Sequence, residues 1–231
     1  MTDRHARYGA ATGIGFVILV VIGFLTQPSP PSTDASPSEV LTYVVDHQNA
    51  LHAGQLIFGL AGLLFIWFIG TLRAYLAVAE GGPGRLAGTA YGAGLVAVAT
   101  LIVSFGLSAA AAFHPADNGP GTTRALIDAS VMIAAVGAPA ATAFLLASGL
   151  AILHTAALRP VLGWIAIVAG VLNLIGLGAV YTDSGAFAPD GVFGLMLPIL
   201  SFLLFVLLAS MEMVRRLGVV EAATGPEPVR T

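Results

Sequence analysis

Cysteine is absent from the 231 residues, and so is lysine: all nine basic residues are arginine. Charge of either sign is scarce, at 9% of the chain against about 25% in an average soluble domain. Without a thiol there is no disulfide exchange, no cysteine nucleophile, no iron–sulfur cluster and no thiolate zinc site. Nine basic and twelve acidic residues cannot clothe a water-facing surface on a chain that is 57% hydrophobic. The net charge of −3 offers no basic face to nucleic acid, which is excluded as a partner.

What is present instead is a series of long apolar runs. A spanning helix needs about 20 such residues, and six runs qualify. They cover residues 9–25, 50–72 with an extension to 78, 86–113, 130–153, 161–181 and 191–214. The reading is an all-α integral membrane bundle of six transmembrane helices. Residues 1–216 form one domain and residues 217–231 a short disordered tail. Basic residues orient it. With the N-terminus in the cytoplasm, Arg4, Arg7, Arg73, Arg85, Arg159, Arg215, Arg216 and Arg230 fall inside and only Arg124 outside. Both termini are then cytoplasmic. The first run resembles the core of a signal peptide, but no small-x-small cleavage site follows it, so an uncleaved first span is expected.

The first outer segment, 26–49, begins with Pro28-Ser29-Pro30-Pro31-Ser32, which cannot be helical. Ser36-Pro37-Ser38-Glu39 then carries the marks of a helix start: a capping serine, proline in the first turn and a capping-box glutamate. Val40, Leu41, Val44 and Val45 follow at helical spacing, which predicts a short amphipathic helix on the outer membrane surface. Residues 80–85 contain glycines but lack the lysine and hydroxyl of a phosphate-binding loop, and read as a turn. Pro139 and Pro198 interrupt the fourth and sixth spans at unmatched positions, so no internal repeat is legible.

Helices in lipid approach each other at small residues. Four faces are therefore expected to point inward: Gly9 and Gly13; His52, Gln55, Gly59 and Gly62; Gly84, Gly88 and Gly92; and Gly163, Ala166, Gly170 and Asn173. Ionisable groups inside a span are costly and mark function by default, yet mid-depth holds almost none. Asn173 is its one amide, and an interhelical hydrogen bond is its simplest role. Polar groups gather at the outer ends. Asp46, His47, His52, Gln55, His114, Asp117 and Asp128 could converge into an outer pocket, with Arg124 and Asp128 paired at i, i+4. His52 and His114 are the candidates for a haem or metal ligand, although no ligand motif surrounds them and imidazoles at an interface are commonly just hydrated. Arg73, Glu80, His154, Arg159, Glu212, Arg215 and Arg216 read as topology anchors at the inner face.

Two inner segments carry a resemblance: Phe65-Ile66-Trp67-Phe68-Ile69-Gly70-Thr71-Leu72-Arg73 with Ala79-Glu80-Gly81-Gly82-Pro83-Gly84-Arg85-Leu86, and Leu158-Arg159-Pro160-Val161-Leu162-Gly163-Trp164. They resemble an uncharacterised family of small, about six-span membrane proteins from high-GC Gram-positive bacteria. The resemblance implies a multi-pass protein of the bacterial plasma membrane and carries over no activity and no catalytic residue. No nucleophile–base pair or Asp-rich magnesium motif is recognisable. The expectation is a non-enzymatic accessory or interaction component, without a cofactor. Its partners would be membrane lipids and a second copy of the chain or another membrane protein. The competing readings are a small-molecule transporter or channel and a haem-binding redox protein.

Overall fold

The computed structural model describes residues 3–182 and 184–223, and every regular element among them is helical. The helices are α1 (Asp3–Thr26), α2 (Pro37–Asp46), α3 (Gln48–Glu80), α4 (Arg85–Phe113), α5 (Pro115–Val136), α6 (Ala138–Thr155), α7 (Pro160–Gly176) and α8 (Leu197–Ala223). Six stretches are long and apolar enough to cross a membrane, with α5 and α6 counting as one and α7 and α8 extended by short irregular turns. The chain is a multi-pass membrane protein.

The spans follow one another around a ring. α1 packs on α3, α3 on α4, α4 on α6, α6 on α7, α7 on α8, and α8 closes on α1. Such a ring would enclose a channel unless large side chains filled its axis. Here they do. Phe65 of α3 lies 4.9 Å from Phe16 of α1, 5.6 Å from Phe144 of α6 and 5.5 Å from Phe202 of α8, ring centre to ring centre. Phe205 continues the cluster at 6.0 Å from Phe144. Phe68, Phe144 and Phe205 have no exposed surface at all.

Glycine decides how closely the ring closes. A methyl on Gly9 would strike the Thr71 side chain, and one on Gly13 would strike Phe68 and Ser210, so α1 sits hard against α3 and α8. The Ser210 hydroxyl donates across that seam to the Ala10 carbonyl. Gly163, Ala166, Gly170 and Asn173 are buried as their spacing predicts. The stripe Gly84, Gly88, Gly92 is different. Gly88 and Gly92 are exposed with open space beyond them, and α4 instead buries Ala87, Ala90, Gly94, Ala97 and Val98. Gly59 of α3 likewise faces outward, while Gly62 is buried. Alanine seats a neighbouring helix nearly as well as glycine, and here the alanine-rich face won.

The fourth span also departs from its expected outline. Helix begins at Pro115 rather than near residue 130, turns at Gly119 (φ 68°, ψ 161°), and runs on as α5 to Val136. Hydropathy sees only the apolar half, because Asn118, Thr122, Thr123, Arg124 and Asp128 fill the first turns. α5 and α6 meet at Gly137, and Pro139 stands in the first turn of α6, where a missing N–H costs nothing. Pro198 acts similarly. It cannot continue the ladder towards residue 194, and the preceding turn widens into a π-helix over Val192–Met196, with the Leu197 N–H reaching back to Val192. The fifth span ends as a 3-10 turn, Leu177–Val180. At the C-terminus α8 continues through Ala223, past residue 216; the remainder of the expected disordered tail, 224–231, lies outside the described residues, as does Asp183.

Candidate functional site

Two polar assemblies stand at opposite ends of the bundle. The first surrounds α2. Ser36 and Glu39 form the expected capping box: the Glu39 N–H donates to the Ser36 hydroxyl at 3.3 Å, and the Ser36 N–H donates to the Glu39 carboxylate at 2.7 Å. The apolar side of α2 is divided: Val40 and Val44 are buried, Val44 in a cluster with Leu51 of α3, Ala112 of α4 and Ile127 of α5, while Leu41 is half-buried and Val45 exposed. Arg124 of α5 binds both Asp128 oxygens at 2.8 Å and donates to the carbonyls of Ala35 and Thr33. One guanidinium thus ties the proline-rich segment to α5. The Tyr43 hydroxyl adds a bond to the Pro28 carbonyl at 2.9 Å, and burial pushes its phenol pKa up.

At the start of α2 lies an exposed cleft of about 530 Å³ lined by Pro31, Ser32, Asp34, Ala35 and Glu39. Both carboxylates titrate below the usual range. The Ser32 hydroxyl does this for Asp34, and the Ser36 backbone N–H does it for Glu39.

The seven polar candidates at this end differ in exposure and in partners. Asp46, His114, Asp117 and Asp128 are exposed, while His47, His52 and Gln55 are half-buried. His47 turns back on its own helix, Nδ1 2.9 Å from the Tyr43 carbonyl oxygen. Gln55 donates to the Ser108 hydroxyl at 3.0 Å and so joins α3 to α4. Asp128 is held by Arg124, and the His114 ring lies against Phe113. Among the described residues, no group of three or more His, Asp or Glu side chains is placed to hold a metal ion. Gln48, which sequence reasoning passed over, donates to the Ala112 carbonyl at 2.9 Å and fixes the start of α3 on the end of α4.

Asn173 is buried at mid-span. Its amide nitrogen donates to Ala169 in its own helix at 2.9 Å and to the Pro198 carbonyl of α8 at 3.2 Å. It is an interhelical hydrogen bond.

The second assembly lies at the other end, where the α6–α7 turn meets α8. Glu212 is only 8% exposed. It accepts from Arg216 Nε at 2.9 Å and pairs with Arg159 Nε at 3.4 Å. Arg216 also donates to the Ala157 carbonyl at 2.8 Å, to which the Tyr75 hydroxyl of α3 donates at 3.2 Å. Three elements are locked at one carbonyl. A buried carboxylate here would be prohibitive alone and is tolerable because two guanidiniums neutralise it. The i, i+4 spacing of Glu212 and Arg216 is the signal that could have marked the pair in the sequence; Arg159, 53 positions earlier, carried none. The other anchors also have definite tasks. Glu80 accepts from the backbone N–H groups of Leu86 and Ala87 at 3.0 and 2.6 Å, capping α4 where Gly84 has no side chain to do so. Arg73 lies over the Tyr91 ring, 5.5 Å from its centre.

Chemically, the two assemblies differ. One clamps an extramembrane segment, and the other neutralises a buried acid and leaves surplus positive charge. Compared with protein-family models, with curated proteins and with solved structures, the chain matches none.

Proposed function

We propose that this chain is a non-enzymatic component of the bacterial plasma membrane that works through what binds its surface. The observation that carries this reading is the axis of the helix ring, filled by Phe16, Phe65, Phe144, Phe202 and Phe205. A carrier needs polar groups converging near mid-depth on a path. Here the one mid-depth amide, Asn173, has both its bonds within the protein. The orientation belongs to the same proposal. Arg73, Arg85, Arg159, Arg215 and Arg216 stand at one end of the bundle and Arg124 at the other, a bias that through the positive-inside rule supports a cytoplasmic arginine-rich end.

The test pairs two measurements on protein from its own membrane. Proteoliposomes loaded with ions and small solutes should leak no faster than empty ones, and gentle solubilisation should retain a partner of fixed stoichiometry. Flux abolished by filling the axis further, for example with Ala147→Phe, would refute the proposal.

A further inference from the structure

The arginine-rich end carries a groove beside the Glu212 ion pairs. Between the start of α7 and the second half of α8 lies a cleft of about 200 Å³. Ile165, Leu208 and Met211 form apolar walls, and Arg159, Arg215 and Glu212 stand at its mouth. It opens sideways, since Val161 and Met211 on its rim are 57% and 45% exposed. In a spanning helix pair a sideways opening faces lipid.

Charge decides what fits. Glu212 is already neutralised by Arg216 at 2.9 Å. Arg159 reaches the same oxygen only at 3.4 Å, and its side chain is 61% exposed. Arg215 is exposed and one turn from Met211. Three arginines against one glutamate leave a local charge of about +2 at the mouth. The start of α7 at Pro160 adds the positive end of a 17-residue helix. An occupant must therefore be anionic at the interface and apolar for some distance into the membrane. We infer that the groove between α7 and α8 binds an acidic phospholipid, its phosphate between Arg159 and Arg215 and its acyl chain along Ile165, Leu208 and Met211. The buried ion pair gives the site its rigidity: with Glu212 held by Arg216, Arg159 is positioned at the mouth while its outer N–H groups stay available. A carrier would hold this lipid as readily as a scaffold.

The experiment is native mass spectrometry of the full chain in mixed micelles containing equal phosphatidylglycerol and phosphatidylcholine. One tightly retained phosphatidylglycerol per chain is expected. Each arginine near an anionic headgroup is worth about fivefold in affinity, so Arg159→Gln with Arg215→Gln should lower the preference by about 25-fold. Arg159→Gln also removes one of the two partners of Glu212, so Arg215→Gln, an exposed residue outside that pair, is measured alone as well and should lower the preference about fivefold with an unchanged melting profile. Arg85→Gln, at the same end of the bundle but away from the groove, should leave the preference unchanged. Ile165→Trp should displace the lipid with both arginines present. Equal retention of the two lipids, or an equal loss with Arg85→Gln, would overturn the site, the latter because it points to a diffuse basic surface. Inorganic phosphate that competes as well as the lipid would overturn the lipid in favour of a free-anion site.

Discussion

Gly149 and Gly163 set the distance between α6 and α7. A methyl on Gly149 would lie 2.8 Å from the Gly163 carbonyl oxygen and 3.1 Å from the Ala166 methyl; one on Gly163 would lie 3.0 Å from the Gly149 carbonyl oxygen. Ordinary contact begins near 3.5 Å, so Gly149→Ala creates an overlap of about half an ångström. The obstacle is backbone and cannot rotate away. The helices must part, and a gap of 0.5–1 Å forfeits a quarter to a half of each dispersion contact along the seam. Overpacking of this kind costs about 1–3 kcal/mol. Gly88→Ala and Gly92→Ala are the matched controls. Nothing lies within 4 Å of either position, and alanine is the better helix former by up to about 1 kcal/mol. Denaturant titration of the purified protein in one detergent should therefore place Gly149→Ala below the parent and the controls at or above it. A Gly149→Ala protein as stable as the parent would refute the α6–α7 packing. Gly88→Ala losing as much as Gly149→Ala would show that the outward stripe of α4 is covered in the assembled protein.

Asn173→Leu should cost about 1 kcal/mol, the value of one interhelical hydrogen bond, read in the same titration. Arg124→Gln should expose residues 27–36 to protease, because the carbonyls of Thr33 and Ala35 lose their donor; Asp128→Asn, which breaks only a surface i, i+4 pair, should change the stability midpoint by less than about 0.5 kcal/mol. Asp34 and Glu39 both titrate below their ordinary values of 3.8 and 4.5. A lowered folded-state pKa means stabilisation that is full above the ordinary value and lost as pH falls through the folded one. Amide exchange at Val40 and Leu41, corrected for intrinsic rate, should hold steady from pH 8 to pH 5 and rise only below pH 4.

The six spans and the start of α2 were legible because they rest on local rules: length of apolar run, and the Ser36-Pro37-Ser38-Glu39 cap. The role of Asn173 followed from its isolation in an apolar span. What escaped was decided between elements. α2 has the composition of a helix lying on a membrane, yet its Val44 packs with Leu51 of α3, Ala112 of α4 and Ile127 of α5, a helix whose polar first turns no hydropathy window includes. Glycine spacing proposed two faces on α3 and α4, but a glycine says only that a neighbour can come close, and at Gly59, Gly88 and Gly92 none does. Glu212 and Arg159 looked like separate anchors because their pairing depends on where the α6–α7 turn meets α8.

The absence of cysteine allows the central claim, a six-span ring with a closed axis, to be tested by single-cysteine labelling in oriented membranes. Cysteine at Ser32, Asp117 and Ser184 should react with a membrane-impermeant maleimide from one side only, and cysteine at Arg85 and His154 from the other only. Cysteine at Ala147 and Ala209, both buried in the ring, should react from neither. Mixed sidedness within either group would contradict the six-span ring, and labelling of Ala147→Cys or Ala209→Cys would contradict the closed axis by revealing a water-filled path past the phenylalanine cluster.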